Sequence, residues 1–186
     1  MTPAVIKLES GANVSLTANS PLLKEIIVGF GWNIISSNGP VVELVPSAIM
    51  CDANGAAVSD EHVVFFNQLA TPDDAVRYVT KDDKEQIEVN LSRIPEDVKK
   101  IALIVYVDPD IRKPGNFGSV RNAYVRVADR EDNDIVRYDI PQADIEVTAM
   151  VFGEIYNHNG QWKFRAVGQG YKTGLLGVAK DFKVNV

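Results

Sequence analysis

At 186 residues the chain is long enough to bury a self-sufficient core, and 46% hydrophobic with 24% charged residues is an ordinary globular composition. A formal net charge of −6, with lysines and arginines dispersed rather than clustered, argues against nucleic acid as a partner. The single cysteine, Cys51, excludes an internal disulfide and a cysteine-rich zinc site.

In chain order, the opening "MTPAVIKLESGANVSL" has no charged segment leading into an apolar one, so no signal peptide is expected. No apolar run approaches the roughly 20 residues that span a bilayer, so direct membrane insertion is not expected. Together with a lone thiol at the end of "SAIMC", this predicts a cytoplasmic protein with Cys51 buried and reduced. Short strand patterns then follow one another: "NVSLT", "KEIIVGFGW", "VVELVPSAIM", "HVVFFNQL", "AVRYVT", "EQIEVNL", "KIALIVYV", "AYVRVAD", "DIVRYDI", "IEVTAMVFGEIYNH" and "QWKFRAVGQGY". The segments between them ("SNGP", "DANGA", "PDD", "KPGN", "EDND", "HNG") hold the residues that tolerate tight turns. In "EQIEVNL", Ile87, Val89 and Leu91 alternate with Gln86, Glu88 and Asn90, the mark of a half-buried strand. In "IYNHNGQWKF", Asn159-Gly160 supplies the positive φ angles of a two-residue hairpin. Helix signals are few: Pro95-Glu96-Asp97 suits a short first turn, and "TGLLGVAKDFKV" suits another turn or two. The expectation is an all-β fold, a β-sandwich of two mostly antiparallel sheets with a few short helices, as one domain over 1–186. Trp32, Phe65, Ile87, Val89, Val105, Phe152 and Phe164 are expected in its cores or strand packing.

Catalytic signals are absent from the sequence. His158 falls in a hairpin turn and His62 at a strand end, and neither lies in a hydrolase or metalloprotease motif. "VGFGWN" and "GQGYKTG" are glycine-rich, but neither leads into a phosphate-binding helix; the first reads as a bulge or close strand packing. "CDANGAAVSDE" starts like an EF-hand loop, but its glycine comes too early and its flanks are strands, so it reads as a hairpin turn. The stretch "RYVTKDDKEQIEVNL" is more pointed: Asp82, Asp83 and Glu85 crowd together, interrupted only by Lys84. Such a run sits either in water or around a cation, and calcium takes six to eight oxygens from loops of this kind. Further oxygen donors at strand ends are Glu43, Asn67 and Asp108.

The stretches "NVSLT…LKEIIVGFGWN", "KPGNFGSVRNAYVRV" and, above all, "MVFGEIYNHNGQWKFRAVGQGYKTGLLGVAKDFKVNV" resemble the TerD family, named for tellurium-resistance operons. The resemblance implies a β-sandwich of bacterial stress-response clusters that binds calcium at acidic loops and acts as a binding or scaffold protein, without enzymatic activity. Its partners would then be other proteins, among them other Ter-type proteins of the cluster. The resemblance also exposes departures. Where the family shows D-L-D-A-S, this chain reads Glu43-Leu44-Val45-Pro46-Ser47; where the family shows F-Y-N-N, it reads Phe65-Phe66-Asn67-Gln68. The glycine- and aspartate-rich loop is shortened to Thr80-Lys81-Asp82-Asp83-Lys84-Glu85, and Asp108-Pro109 replaces the family's H-D pair. Val45 and Lys84 thus stand at former carboxylate positions. The resemblance therefore implies a possible weak calcium site at Glu43, Asn67, Asp82, Asp83, Glu85 and Asp108, with calcium weakened or lost. Two alternatives stay open: calcium binding is retained, or the reshaped loops accept a small ligand such as a cationic metabolite or a nucleotide.

Overall fold

In the computed structural model, the described residues are 4–35, 42–82, 84–110, 114–143 and 146–185. They form twelve strands: β1 (Ile6–Leu8), β2 (Asn13–Ser15), β3 (Glu25–Ile34), β4 (Leu44–Cys51), β5 (Val63–Val64), β6 (Val76–Lys81), β7 (Lys84–Asn90), β8 (Lys100–Val107), β9 (Val120–Ala128), β10 (Asp134–Asp139), β11 (Ala149–His158) and β12 (Gln161–Tyr171). One α-helix, α1 (Gly174–Phe182), closes the chain. Two six-stranded sheets result, ordered β1-β10-β9-β3-β7-β6 and β2-β12-β11-β8-β4-β5, and every pairing is antiparallel except β1 with β10. The fold is the β-sandwich that the alternation predicts.

The sheets face each other over one apolar layer that includes Val28, Ile87, Val89, Ile101, Leu103, Val105, Val125, Phe152 and Phe164. Trp32 packs against this layer half-buried, while Phe65 lies outside it, edge-on to Phe66. A second apolar cluster covers the back of the second sheet, where Val45, Ile49, Cys51, Ile104 and Tyr106 meet Val178 and Phe182 of α1. That is why "KIALIVYV" is apolar at nearly every position: β8 is buried on both faces, so it has no reason to alternate.

The glycines of "VGFGW" make room for side chains of the neighbouring strand. Gly29 pairs with Arg126 and Gly31 with Tyr124. A Cβ on Gly29 would lie 2.7 Å from the Arg126 Nε, and one on Gly31 would lie 2.2 Å from the Tyr124 ring. The register of β3 against β9 also shifts between Gly31 and Asn33, so both expected readings, close packing and a bulge, hold. At the β11–β12 turn, Asn159 and Gly160 take φ of 51° and 79°, as a type I′ hairpin requires. Asp52 closes its own hairpin, its carboxylate accepting from the Asn54 and Ala56 N–H groups.

Three sequence expectations need correction. No helix forms at Pro95; the segment makes a single turn (Val98 N–H to Pro95 C=O, 3.1 Å). The Lys99 N–H is already committed to the Cys51 carbonyl at 2.8 Å, so sheet pairing begins before a helix can propagate. The "HVVFFNQL" strand contracts to Val63–Val64, because a 3₁₀ turn takes Asp60–His62 and Phe65 and Gln68 close a two-residue turn. β1 was not anticipated: three residues paired in parallel at a sheet edge leave almost no periodic signal.

Candidate functional site

The acidic stretch forms the tip of the β6–β7 hairpin. Lys81 pairs with Lys84 and Thr80 with Glu85, and Asp82 sits exposed in the turn at φ 52°. Asp83 lies outside the described residues. Alternation fixes where the flanking side chains go: Glu85 shares the inward face of β7 with Ile87 and Val89, whereas Lys84 is exposed on the opposite face.

The other candidate ligands gather at the same end. Glu43 continues the β4 alternation on the face that carries Val45, and the backbone N–H of Asp108 donates to the Glu43 carbonyl at 2.8 Å. β5 runs antiparallel to β4 with Val64 opposite Ala48, which carries Asn67, exposed in its turn, toward the Val45 end. Val45 pairs with Tyr106 and is only 6% exposed. The Asp108 carboxylate accepts from its own Asp110 N–H at 2.9 Å.

Two tyrosines register the charge of this cluster. Burial pushes the Tyr106 hydroxyl up to about 12, and the carboxylates of Asp108, Asp110 and Glu85 add to it. Glu85 and Asp108, 23 positions apart in sequence, therefore act on one hydroxyl. Burial, followed by the Glu85 carboxylate, also raises Tyr78. The Tyr78 hydroxyl lies near Glu85 yet is buried without a properly aligned hydrogen-bond partner among the described residues.

Calcium requires at least six converging oxygens. Among the described residues, no three His, Cys, Asp or Glu side chains come close enough together to hold a metal ion. Asp108 spends one oxygen on its own loop, Asp82 stands at a hairpin tip, and Val45 offers no oxygen. As arranged, the described donors do not form a calcium cage.

Beside the cluster, β3 and β7 part company. Their pairing ends at Gly29–Gln86, while β3 runs on to Ile34 beside β9 alone. The split opens a cavity of about 760 Å³ lined by Trp32, Thr80, Lys84, Glu85, Tyr124 and Arg137. The Arg137 guanidinium stacks 3.8 Å above the centre of the Tyr124 ring.

A second group was missed at the sequence level. His62 Nδ1 lies 2.7 Å from the Ser59 hydroxyl, and its Nε2 lies 3.2 Å from the Asp73 carboxylate. Asp73 is fixed in turn by the Thr71 hydroxyl (2.7 Å) and the Ala75 N–H (3.0 Å). The only hint in the sequence is Ser59 three positions before His62; Asp73 arrives through the chain crossing from β5 to β6. Cys51 is buried as expected, and burial pushes its thiol up to about 12.

Comparison with known proteins turns on the whole length of the sandwich. The TerD domain family model matches residues 4–182. The chain belongs to the TerD family. It is 36% identical over 188 residues to a tellurium resistance protein TerD of Serratia marcescens, covering 97% of this chain and 98% of that one. It is 35% identical over 190 residues to general stress protein 16U of Bacillus subtilis, covering 97% of this chain and 98% of that one. In fold it is similar to a crystal structure described as a homologue of telluride resistance protein TerD from Streptomyces coelicolor. That likeness has a TM-score of 0.65 at 21% identity, covering 84% of this chain and 95% of that one. TerD relatives are thus tellurium-resistance and stress proteins, and this chain shares their domain nearly end to end. Among the described residues no helix is long and apolar enough to cross a membrane.

Proposed function

We propose that this TerD-family chain serves the bacterial response to tellurite and other chemical stress as a cytoplasmic binding or scaffold protein. The acidic end of its sandwich acts by binding rather than by catalysis, and its partners are other proteins, Ter-type proteins among them. Calcium is held there weakly or not at all. The observation that supports this is the composition of the cluster. Glu85 and Asp108 are drawn to one end and act on the Tyr106 hydroxyl, while buried Val45 offers no oxygen there and Lys84, next to Glu85 in sequence, turns to the opposite face.

The cavity between β3 and β7 favours a second reading, a small-ligand module. It combines aromatic rings (Trp32, Tyr124) with both signs of charge (Glu85, Lys84, Arg137), features that suit a cationic metabolite or a nucleotide. Thermal melts separate the two. A compound that binds only the folded chain raises Tm, by about 2.7 kcal/mol of stabilisation at 100 times its Kd. The binding-protein reading expects no response to millimolar nucleotides or polyamines and little to calcium. A clear rise with either ligand class assigns the cavity to it.

A further inference from the structure

Away from the acidic end, we propose that Ser59 is a nucleophile activated by His62, able to take the acyl group of small carboxylic esters. This goes beyond the binding role proposed above and rests on different residues.

The hydrogen-bond chain fixes its own protonation. A carboxylate only accepts, so Asp73 Oδ2 draws the proton of the neutral imidazole to Nε2, 3.2 Å away. Nδ1 is then the lone-pair nitrogen, and the Ser59 hydroxyl, 2.7 Å away, donates to it. Asp73 cannot swing off: its other oxygen is held by Thr71 and Ala75. His62 and Asp73 are 15% and 18% exposed, whereas Ser59 is open to solvent. A shielded base, oriented by a fixed carboxylate and bonded to an accessible hydroxyl, is the arrangement that activates serine nucleophiles, here with the two ring nitrogens exchanged. The neighbouring Asp60 carboxylate does not compete, because it accepts from the backbone N–H and Nδ2 of Asn185.

A cleft beside the Ser59–His62 pair is lined by their sequence neighbours and not by Ser59 or His62 themselves. Asp60, Val63 and Phe65 line a mainly apolar cleft of about 390 Å³, walled on the far side by Leu175, Val178 and Val184. That volume suits a small aliphatic or aryl group. In the reaction, Ser59 Oγ attacks the ester carbonyl carbon while its proton passes to His62 Nδ1. The bond from the carbonyl carbon to the alcohol oxygen breaks, and the alcohol leaves with that proton. Water then attacks the acyl-serine, giving one proton to Nδ1, and Ser59 leaves and recovers it. The sum is ester plus water to acid plus alcohol.

The test uses the full chain with a fluorophosphonate probe and with p-nitrophenyl acetate. The proposal expects a single phosphonyl adduct on Ser59, forming at least tenfold faster than on the exposed Ser20 or Ser92, and release of nitrophenolate. The Ser59 hydroxyl also accepts from the Glu61 N–H at 3.2 Å, so Ser59→Asn, which keeps a side-chain acceptor there, should lose both signals with an unchanged melt. His62→Gln should slow both at least tenfold. No adduct on Ser59, labelling of Ser59 no faster than of Ser20, or undiminished labelling in folded His62→Gln overturns the proposal. The comparison among serines lies within one folded protein, so it decides the matter even if a variant fails to fold.

Discussion

Replacing Gly31 by alanine tests how the outer face of the first sheet is built. The added Cβ would lie 2.2 Å from the Tyr124 ring, where ordinary contact begins near 3.4 Å, so ring and strand must separate by roughly 1 Å. Overpacking of this kind costs about 1–3 kcal/mol. The displaced ring also loses its stack with the Arg137 guanidinium, now 3.8 Å from its centre, worth about 0.5–1 kcal/mol at an exposed site. The expected loss is therefore about 1.5–4 kcal/mol, or roughly 3–16 °C in Tm for a chain of this size. Urea denaturation followed by tryptophan fluorescence measures it. A double-mutant cycle with Tyr124→Ala isolates the cause: without the ring the alanine meets no obstacle, so the double variant should be less destabilised than the sum of the single ones by at least about 1 kcal/mol. A neutral Gly31→Ala, or an additive cycle, refutes the reasoning.

Gly160 takes φ of 79°, so Gly160→Val should lower stability by about 1 kcal/mol or more, read from the denaturation midpoint. Val45→Asp buries a carboxylate at a 6% exposed position and should destabilise by about 2–4 kcal/mol in chelator; combined with Lys84→Asp it should make Tm calcium-dependent, as melts with and without calcium will show. Tyr106 titrates near 10 when unfolded and at about 12 when folded, so the folded state keeps its proton longer. Its contribution is complete below pH 10 and is lost as pH rises toward 12; a stability curve flat across pH 9–12 would contradict this.

The strands were legible wherever apolar residues alternate with polar ones, as in Ile87 and Val89 against Gln86 and Glu88, although Gln86 proves to be buried. β8 was legible as a strand, but its unbroken apolar run could not reveal that α1 covers its back. β1 escaped because three parallel edge residues carry no period. Of the acidic end, the structure links Glu85 and Asp108 through the Tyr106 hydroxyl and Asp108 to Glu43 through the backbone, as neighbouring strand ends of a sandwich do. What the sequence could not supply was direction. Glu85 turns inward toward Tyr78 while its neighbour Lys84 turns outward, a matter of register alone. The Ser59–His62–Asp73 chain was illegible for a related reason, since Asp73 reaches His62 only through the crossing from β5 to β6.

The central proposal is that this chain, built on the TerD framework, holds calcium weakly or not at all at its acidic end. Calorimetric titration of the unaltered protein with calcium, beside the Val45→Asp, Lys84→Asp double variant, tests it most directly. The account predicts no binding, or a Kd no tighter than the millimolar range, for the unaltered chain, and at least tenfold tighter binding for the variant. Low-micromolar binding by the unaltered chain, or a variant with the same affinity, would contradict it.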